Sequence, residues 1–342
     1  MNGNPERKQI VIVVMSGNML LNFAGPSDVF CNANGSLVDA GFPEGYDVLI
    51  AAPTKDRKVR GRTGIEIQCP YHAMEIEQPF DTLIIAGNDR STEGNTRLAE
   101  FHEWLSRIDT AKTRRIGSIC GGAFALAKAG LLDGKKATTH WERSETLRKE
   151  YPAIQLEAHQ FFTSDGNIYT SAGVTSGIDL SLAMIEEDYG RDIAIRVARR
   201  LVFYLSRPGF QSQFGNLLPL YETENIAGKL HKWLKEHLNE PLDVVRMADH
   251  LSMSTRNFTR VFHKQTGMPP AKYIEKFRLE AARKLLEDTD ISLERIAEQC
   301  GLVNLVGMRR TFLRHLNVTP SDYRRTFRTA LKNAGITELL NN

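Results

Sequence analysis

The chain has 342 residues, 42% of them hydrophobic and 25% charged, with a formal net charge of +3 at pH 7, and this length suggests two or three domains. No apolar run reaches membrane length and the N-terminus lacks the pattern of a secretory signal, so no membrane partner is expected and the expected location is the cytoplasm. The four cysteines are scattered without a Cys-x-x-Cys pair and the nine histidines are dispersed, so no disulfide, metal site or cofactor is predicted.

The first two-thirds of the sequence alternates between strand and helix patterns. Apolar, β-branched runs typical of buried parallel strands lie at 10–15, 46–51, 82–86 and 115–119, and helical stretches lie around 26–33, 95–108 and 123–129. This alternation predicts an α/β domain over residues 1–205, with a doubly wound, mostly parallel, flavodoxin-like sheet. Ligands of such sheets bind beyond the carboxyl ends of the strands.

One predicted strand end has the pattern of a catalytic turn. The strand at 115–119 runs into Cys120, small residues follow, and a helix begins at once, which is typical of a nucleophile elbow. A thiol at a helix N-terminus has its pKa lowered by the helix dipole, and His140 is a candidate partner. The alternative is that Cys120 is a small buried hydrophobic residue, as most unpaired cysteines are. The pattern alone leaves both interpretations open.

A linker is expected between this domain and the rest of the chain. Residues 206–219 are rich in Gly, Pro and Gln and have no helical periodicity. We therefore interpret 206–225 as a linker and expect a second domain at 226–330.

The C-terminal third contains an internal repeat. Arg260, Phe262, Pro270, Tyr273 and Phe277 recur 50 residues later as Arg310, Phe312, Pro320, Tyr323 and Phe327. Ahead of this block the offset is 49, so one residue has been added near Val303. Such a repeat indicates one supersecondary unit used twice. Here each unit is a short helix, a tight turn and a second helix, which is a DNA-reading device.

Local signals define the second helix of each copy. Ser254 and Asn304 are good N-cap residues, and Gly267 ends the first of these helices. Between the copies, 271–288 predicts a long connecting helix. The predicted DNA contacts on the outer faces are Thr255, Arg256, Asn257, Thr259, Arg260 and Lys264 in the first copy, and Arg309, Arg310 and Arg314 in the second.

The charge of this region supports DNA binding. Residues 229–332 carry 20 Lys and Arg against 12 Asp and Glu, a balance of +8, which favours phosphate contacts that weaken with salt. The two copies differ, however. Leu305, Val306 and Gly307 occupy the first exposed turn of the second copy, where they touch thymine methyls at most and donate no hydrogen bond to a base edge. The second copy is therefore expected to work mostly through phosphate contacts.

Residues 226–328 resemble the AraC/XylS-type DNA-binding domain. The resemblance covers the whole module, including the endings GMPPAKY and NVTPSDY. It implies binding of double-stranded DNA in adjacent major grooves roughly 34 Å apart. It also implies contact with RNA polymerase and, more often than not, activation of transcription.

The first domain resembles the PfpI-like branch of the class I glutamine amidotransferase-like superfamily. The phrases that carry this resemblance are FAGPSDVF (23–30), FDTLIIAGN (80–88), GSICGGAFALAKAGLLDGKKATTHW (117–141) and IYTSAGVTSGIDLSLAMIEEDYG (168–190). Cys120 then matches the family's nucleophile and His140 its partner. Catalytic members place a carboxylate where this chain has Asn22, and the glycine pair after the third strand is altered to Gly87-Asn88.

These departures favour a sensor domain over an enzyme. The expected ligand-binding residues are Asn22, Gly87, Asn88, Cys120, Gly121 and His140. The resemblance implies a small metabolite, such as an amino acid or a quaternary amine, and a homodimer. The alternative is a cysteine-dependent hydrolase or amidase fused to a DNA-binding domain, which a reactive Cys120 thiol would distinguish. A third hypothesis, a nonspecific architectural DNA binder, predicts the same salt dependence on every duplex.

Overall fold

A computed structural model describes residues 7–87, 98–205, 211, 214, 215, 218 and 226–327. The chain divides into two compact units, Met1–Arg207 and Pro208–Asn342. No helix within the described ranges is long and apolar enough to cross a membrane. Asn88 and most of the proposed linker lie outside the described residues.

The first unit is built on a seven-stranded sheet. The unit's strands are β1 Lys8–Val14, β2 Tyr46–Ala52, β3 Lys58–Arg60, β4 Glu66–Gln68, β5 Tyr71–His72, β6 Thr82–Ala86, β7 Arg115–Ile119, β8 Lys136–Ala137, β9 Gln155–Leu156, β10 Phe162–Asp165 and β11 Ile168–Ser171. The main sheet has the order β10-β11-β7-β6-β1-β2-β5, and only its β10–β11 pair is antiparallel. Its central strands follow the flavodoxin-like order, which confirms the predicted fold class.

Helices cover both faces of this sheet. They are α1 Leu21–Asp39, α2 Ala99–Ser106, α3 Gly122–Lys128, α4 Ser144–Glu150, α5 Ser176–Tyr189 and α6 Arg191–Arg200. Alternate residues of a strand point to opposite faces, so Val11 and Val13 pack with α2 and α3, while Ile10 and Ile12 pack with α1, α5 and α6. The helix expected around 26–33 is longer in both directions, and Pro26 lies inside α1.

A buried ion network ties α5 to the amino-terminal end of β7. The Arg115 guanidinium donates to Asp188 Oδ1 over 2.9 Å, and the Tyr46 hydroxyl donates to Asp188 Oδ2 over 2.8 Å. Arg114 also donates to Asp188. The side chains of Arg115 and Asp188 are almost fully buried. Because parallel strands bind ligands at their carboxyl ends, this network at the other end of β7 is structural.

The second unit is helical. Its helices are α7 Ile226–Glu236, α8 Val244–His250, α9 Thr255–Thr266, α10 Pro270–Asp288, α11 Leu293–Gln299, α12 Leu305–Leu316 and α13 Pro320–Phe327. Two hydrophobic clusters form its core, one around Phe258 and Phe262 and the other around Phe312. The connecting helix α10 contributes Tyr273 to the first cluster and Leu286 to the second. It therefore joins the two helix-turn-helix copies.

Candidate functional site

The candidate ligand site lies where the strand order of the sheet reverses. β1 has β2 on one side and β6 on the other, and ligands of doubly wound sheets bind at such a point. Val14 pairs with Ala86, and Ala86 pairs with Ile119, so β1, β6 and β7 end level with one another. The Gly87 N–H donates to the Ile119 carbonyl over 3.2 Å. The structure thus brings Gly87 and Cys120 to one edge.

Cys120 has the backbone shape of a nucleophile elbow. Its φ is 60°, a left-handed conformation that is uncommon for a residue with a Cβ. Its N–H donates to the Ser171 carbonyl over 3.0 Å, and its own carbonyl accepts the Thr139 hydroxyl over 2.8 Å. Helix α3 starts directly afterwards at Gly122, where a Cβ would lie 2.1 Å from the Ile85 carbonyl oxygen. The neighbouring strands and the glycine therefore hold the turn.

The thiol of Cys120 is not activated in this environment. Burial raises its pKa, and the N–H of Gly121 and the charge of Arg143 lower it by less. The N–H of Gly121 at the helix N-terminus lowers the pKa as expected, but burial outweighs it and the net pKa is raised. The physical reason is that α3 spans only seven residues and the thiol packs against the hydrophobic core, so desolvation of the thiolate is the larger effect.

His140 is held by its own neighbours. Its Nδ1 accepts the Glu142 N–H over 3.3 Å, and its ring stacks on Trp141. The ring also packs over Gly173, where a Cβ would come 2.8 Å from the His140 Cδ2. Burial lowers the pKa of His140, which favours the neutral ring. In the described part of the chain, no hydrogen bond joins His140 to the Cys120 thiol, so the structure does not show the catalytic pair as formed.

Two asparagines supply buried amide groups at the same edge. Asn22 is 2% exposed and Asn18 is 1% exposed. Among the described residues, the Asn22 Oδ1 and both amide atoms of Asn18 have no hydrogen-bond partner. An unsatisfied buried polar group costs about 1–3 kcal/mol, so such atoms are typical of a site that binds water or a ligand.

Asn18 is a candidate site residue that the sequence interpretation missed. It packs against Gly87, where a Cβ would lie 2.5 Å from the Asn18 Cβ and where φ is 113°. Only glycine fits this conformation and spacing. The available signal was the position of Asn18 just after the first predicted strand. Metal binding has no support in the described ranges, which contain no group of three or more His, Cys, Asp or Glu that could hold an ion.

The first reading helix, α9, presents the predicted polar face. The Ser254 hydroxyl accepts the Asn257 N–H over 3.4 Å, and Gly267 ends the helix with a φ of 70°, as predicted. Phe258 and Phe262 are buried. The exposed residues include all six predicted contacts, Thr255, Arg256, Asn257, Thr259, Arg260 and Lys264.

Two of these side chains hold each other in place. The Arg260 guanidinium donates to Asn257 Oδ1 over 2.9 Å. The Thr259 hydroxyl donates to the Thr255 carbonyl over 2.8 Å. The hydrogen bond restricts the arginine and the asparagine, and a restricted side chain loses less entropy on binding a partner.

The second reading helix, α12, differs in how its arginines are used. Asn304 caps it by accepting the Gly307 N–H over 2.9 Å, and Arg309 and Arg310 are exposed. Arg314, however, donates to the carboxylate of Glu275 on α10 over 3.0 Å. His315 contacts the same carboxylate. Of the three predicted phosphate contacts on α12, Arg314 is therefore already paired with a carboxylate of the protein.

Two family models match this chain. Residues 8–187 match the DJ-1/PfpI family, and 247–326 match a helix-turn-helix domain family. The first match spans more than half of the chain.

Two of the relatives are named as transcriptional regulators and one as an enzyme. The chain is similar to the HTH-type transcriptional regulator GbdR of Pseudomonas aeruginosa, with 28% identity over 275 residues, 78% of this chain and 72% of GbdR. It is similar to the HTH-type transcriptional regulator GlxA of Rhizobium meliloti, with 28% identity, 93% of this chain and 96% of GlxA. It is also similar to the isonitrile hydratase of Pseudomonas putida, with 33% identity over 178 residues, 49% of this chain and 74% of the hydratase. This chain therefore belongs to the DJ-1/PfpI family and, with its AraC-type helix-turn-helix domain, is a DNA-binding transcription regulator.

Proposed function

We propose that this regulator reads DNA sequence mainly through α9 and responds to a small metabolite bound at the strand ends of its first unit. The exposed polar face of α9 is the observation that carries the proposal. Arg256 and Arg260 suit guanine, because a guanidinium matches O6 and N7 together, and Asn257 suits adenine. Thr255, Thr259 and Lys264 complete the face. On α12, Arg309 and Arg310 contact phosphates, and Arg314 adds a third contact if it leaves Glu275.

Substitution of Arg260 tests the assignment of α9. Arg260→Ala removes a side chain that is pre-ordered by Asn257, so binding to the cognate duplex weakens by about 1–3 kcal/mol and selectivity relaxes at one base position. The measurement is fluorescence anisotropy on cognate and scrambled duplexes at fixed salt. Lys284→Ala, which removes an exposed charge from α10, is the matched control. Equal weakening on both duplexes would support a nonspecific architectural binder instead.

The effector site is proposed at Asn18, Asn22, Gly87, Cys120, Gly121 and His140, with Asn88 as a further candidate outside the described residues. Buried amides without partners at a topological switch point support it. Amino acids and quaternary amines are the first ligand classes to test, because the family resemblance implies them. A ligand at a hundred times its dissociation constant stabilises the protein by about 2.7 kcal/mol. A thermal-shift screen on the full chain detects this, and Asn18→Ala should abolish the shift.

We propose a binding site rather than a catalytic one, for three reasons. Asn22 takes no proton, and burial raises the pKa of Cys120. The Nδ1 of His140 accepts a hydrogen bond from the Glu142 N–H. The second candidate function is a cysteine-dependent hydrolase or amidase, favoured by the left-handed backbone of Cys120. Cys120→Ser decides between them. An enzyme loses turnover in this variant and its wild-type thiol alkylates fast at neutral pH, whereas the wild-type thiol of a sensor alkylates slowly and the variant has no turnover to lose.

Coupling between the two units completes the proposal. The effector must bind the DNA-competent state more tightly than the other state, with a typical coupling of about 1–3 kcal/mol. From the family resemblance we propose a homodimer, a contact with RNA polymerase and a cytoplasmic location. We also propose a sensor domain at 1–205, a linker at 206–225 and a DNA-binding domain at 226–330. Effector titrations of DNA affinity, with the oligomeric state followed by analytical ultracentrifugation, test the coupling and the dimer together.

A further inference from the structure

The turn between α11 and α12 differs from its counterpart in the first copy. Helices α8 and α11 start 49 residues apart, whereas α9 and α12 start 50 residues apart, so the added residue lies in this turn. Val303 has a φ of 63° there and is 90% exposed. The next residue, Asn304, donates its N–H back to the Leu302 carbonyl over 2.7 Å. The turn is therefore folded tightly against the start of α12.

This turn excludes a side chain from the third position of α12. A Cβ at Gly307 would lie 2.6 Å from the Leu302 carbonyl oxygen, which is backbone and is held by Asn304. The counterpart of Gly307 in α9 is Asn257, the adenine-type reader. The second copy thus has no room for a hydrogen-bonding side chain at the position where the first copy reads a base.

An apolar side chain remains at the tip of α12. Val306, the counterpart of Arg256, is 65% exposed although it is a valine. Leu313, seven residues later on the same helical face, is also exposed. Arg309 and Arg310 lie between them and are exposed to solvent. This face combines two phosphate-binding charges with an apolar residue in the first turn, where a major-groove helix contacts bases.

We propose that Val306 recognises a thymine through its C5-methyl group. That methyl is the apolar feature that the base pairs present in the major groove, and it is the group that an exposed valine fits. The second copy then selects a thymine by an apolar contact while the first copy reads by hydrogen bonds. This proposal rests on the proposed function, because it requires α12 to enter the major groove.

Replacement of thymine by deoxyuridine tests the proposal, since it removes the methyl group and keeps every hydrogen-bonding atom. Duplexes that bind the full-length protein are first selected from a random library, and each thymine is then replaced in turn. In the half of the DNA site bound by α12, replacement of one thymine should weaken binding of the wild-type protein about fourfold, because one buried methyl is worth about 0.8 kcal/mol. Val306→Ala should bind the thymine and deoxyuridine duplexes equally.

Val303→Ala is the matched control, because it removes methyl groups from an exposed valine in the turn and should keep the fourfold loss. Circular dichroism verifies that the variants fold. The proposal is overturned if no thymine in that half is sensitive to deoxyuridine, or if Val306→Ala keeps the sensitivity of the wild type. If the library yields no preferred sequence, the proposed function of sequence-specific binding is overturned. If a preferred sequence is found only in the half of the site bound by α9, the role of Val306 alone is overturned.

Discussion

The carboxylate of Glu275 pairs with Arg314, which is one of the predicted phosphate contacts. Arg314 donates to Glu275 over 3.0 and 3.2 Å, and His315 shares the same carboxylate. Burial raises the pKa of Glu275, but the hydrogen bonds and charges of His315 and Arg314 more than offset it, and the net pKa is lowered. Glu275 is therefore ionised at neutral pH and competes with phosphate for Arg314.

Glu275→Gln removes this competition while it keeps the size of the side chain. The Arg314 side chain is 55% exposed and that of Glu275 is 33% exposed, so the pair is worth about 0.2–1 kcal/mol. Releasing Arg314 should raise the affinity for any duplex by up to about fivefold, since 1.36 kcal/mol corresponds to a factor of ten. One added phosphate contact should also steepen the slope of log K against log salt by about 0.9.

The measurement is fluorescence anisotropy with two unrelated duplexes at four or more salt concentrations. Glu298→Gln, which removes an exposed charge from α11, is the control for the change in net charge. Thermal melting of each variant shows whether α12 stays docked on α10. The reasoning is refuted if Glu275→Gln and Glu298→Gln change affinity and salt slope equally. It is also refuted if Glu275→Gln weakens binding while its melting temperature is unchanged.

Three further predictions concern stability and reactivity. Gly307→Ala should destabilise the second copy by about 1–3 kcal/mol in urea denaturation, because its Cβ meets a backbone carbonyl, and normal stability would contradict the tight turn. Asp188→Asn should cost up to about 3–5 kcal/mol, because the buried Arg115 then keeps Glu187 but loses one of its two carboxylate partners. Because the pKa of Asp188 is lowered, its contribution should be present above about pH 3.9 and be lost as pH falls through the folded value. Cys120 should react with iodoacetamide more slowly than a free cysteine at pH 7, because burial raises its pKa, and the reaction should become fast only at alkaline pH. Rapid labelling at pH 7 would favour the cysteine-dependent hydrolase or amidase.

Much of the fold could be predicted because its signals are local. The apolar runs became β1, β2, β6 and β7, and their alternation with helices implied a mostly parallel sheet. The caps Ser254 and Asn304 act on residues three positions away, so their pattern is visible in the sequence. The same holds for the offset between the two copies, which located the added residue.

The candidate sites were predictable only in part. The expected lowering of the Cys120 pKa is outweighed by burial, because the neighbours that partly bury this residue come from other elements of the fold. Asn18 went unnoticed, because its contact with Gly87 joins two loops whose proximity depends on strand order. The predictions for the DNA-contacting side chains stay predictions until they are tested, although their exposure agrees with them.

The sequence by itself determined two DNA-reading units, an α/β domain and an elbow at Cys120, since each depends on residue type at short spacing. The tertiary structure decided how these parts are used. It partly buried Cys120, paired Arg314 with Glu275 across 39 residues, and placed the Leu302 carbonyl where Gly307 admits no side chain. These outcomes depend on desolvation, charge pairing and steric contact between distant segments, which spacing along the chain does not record.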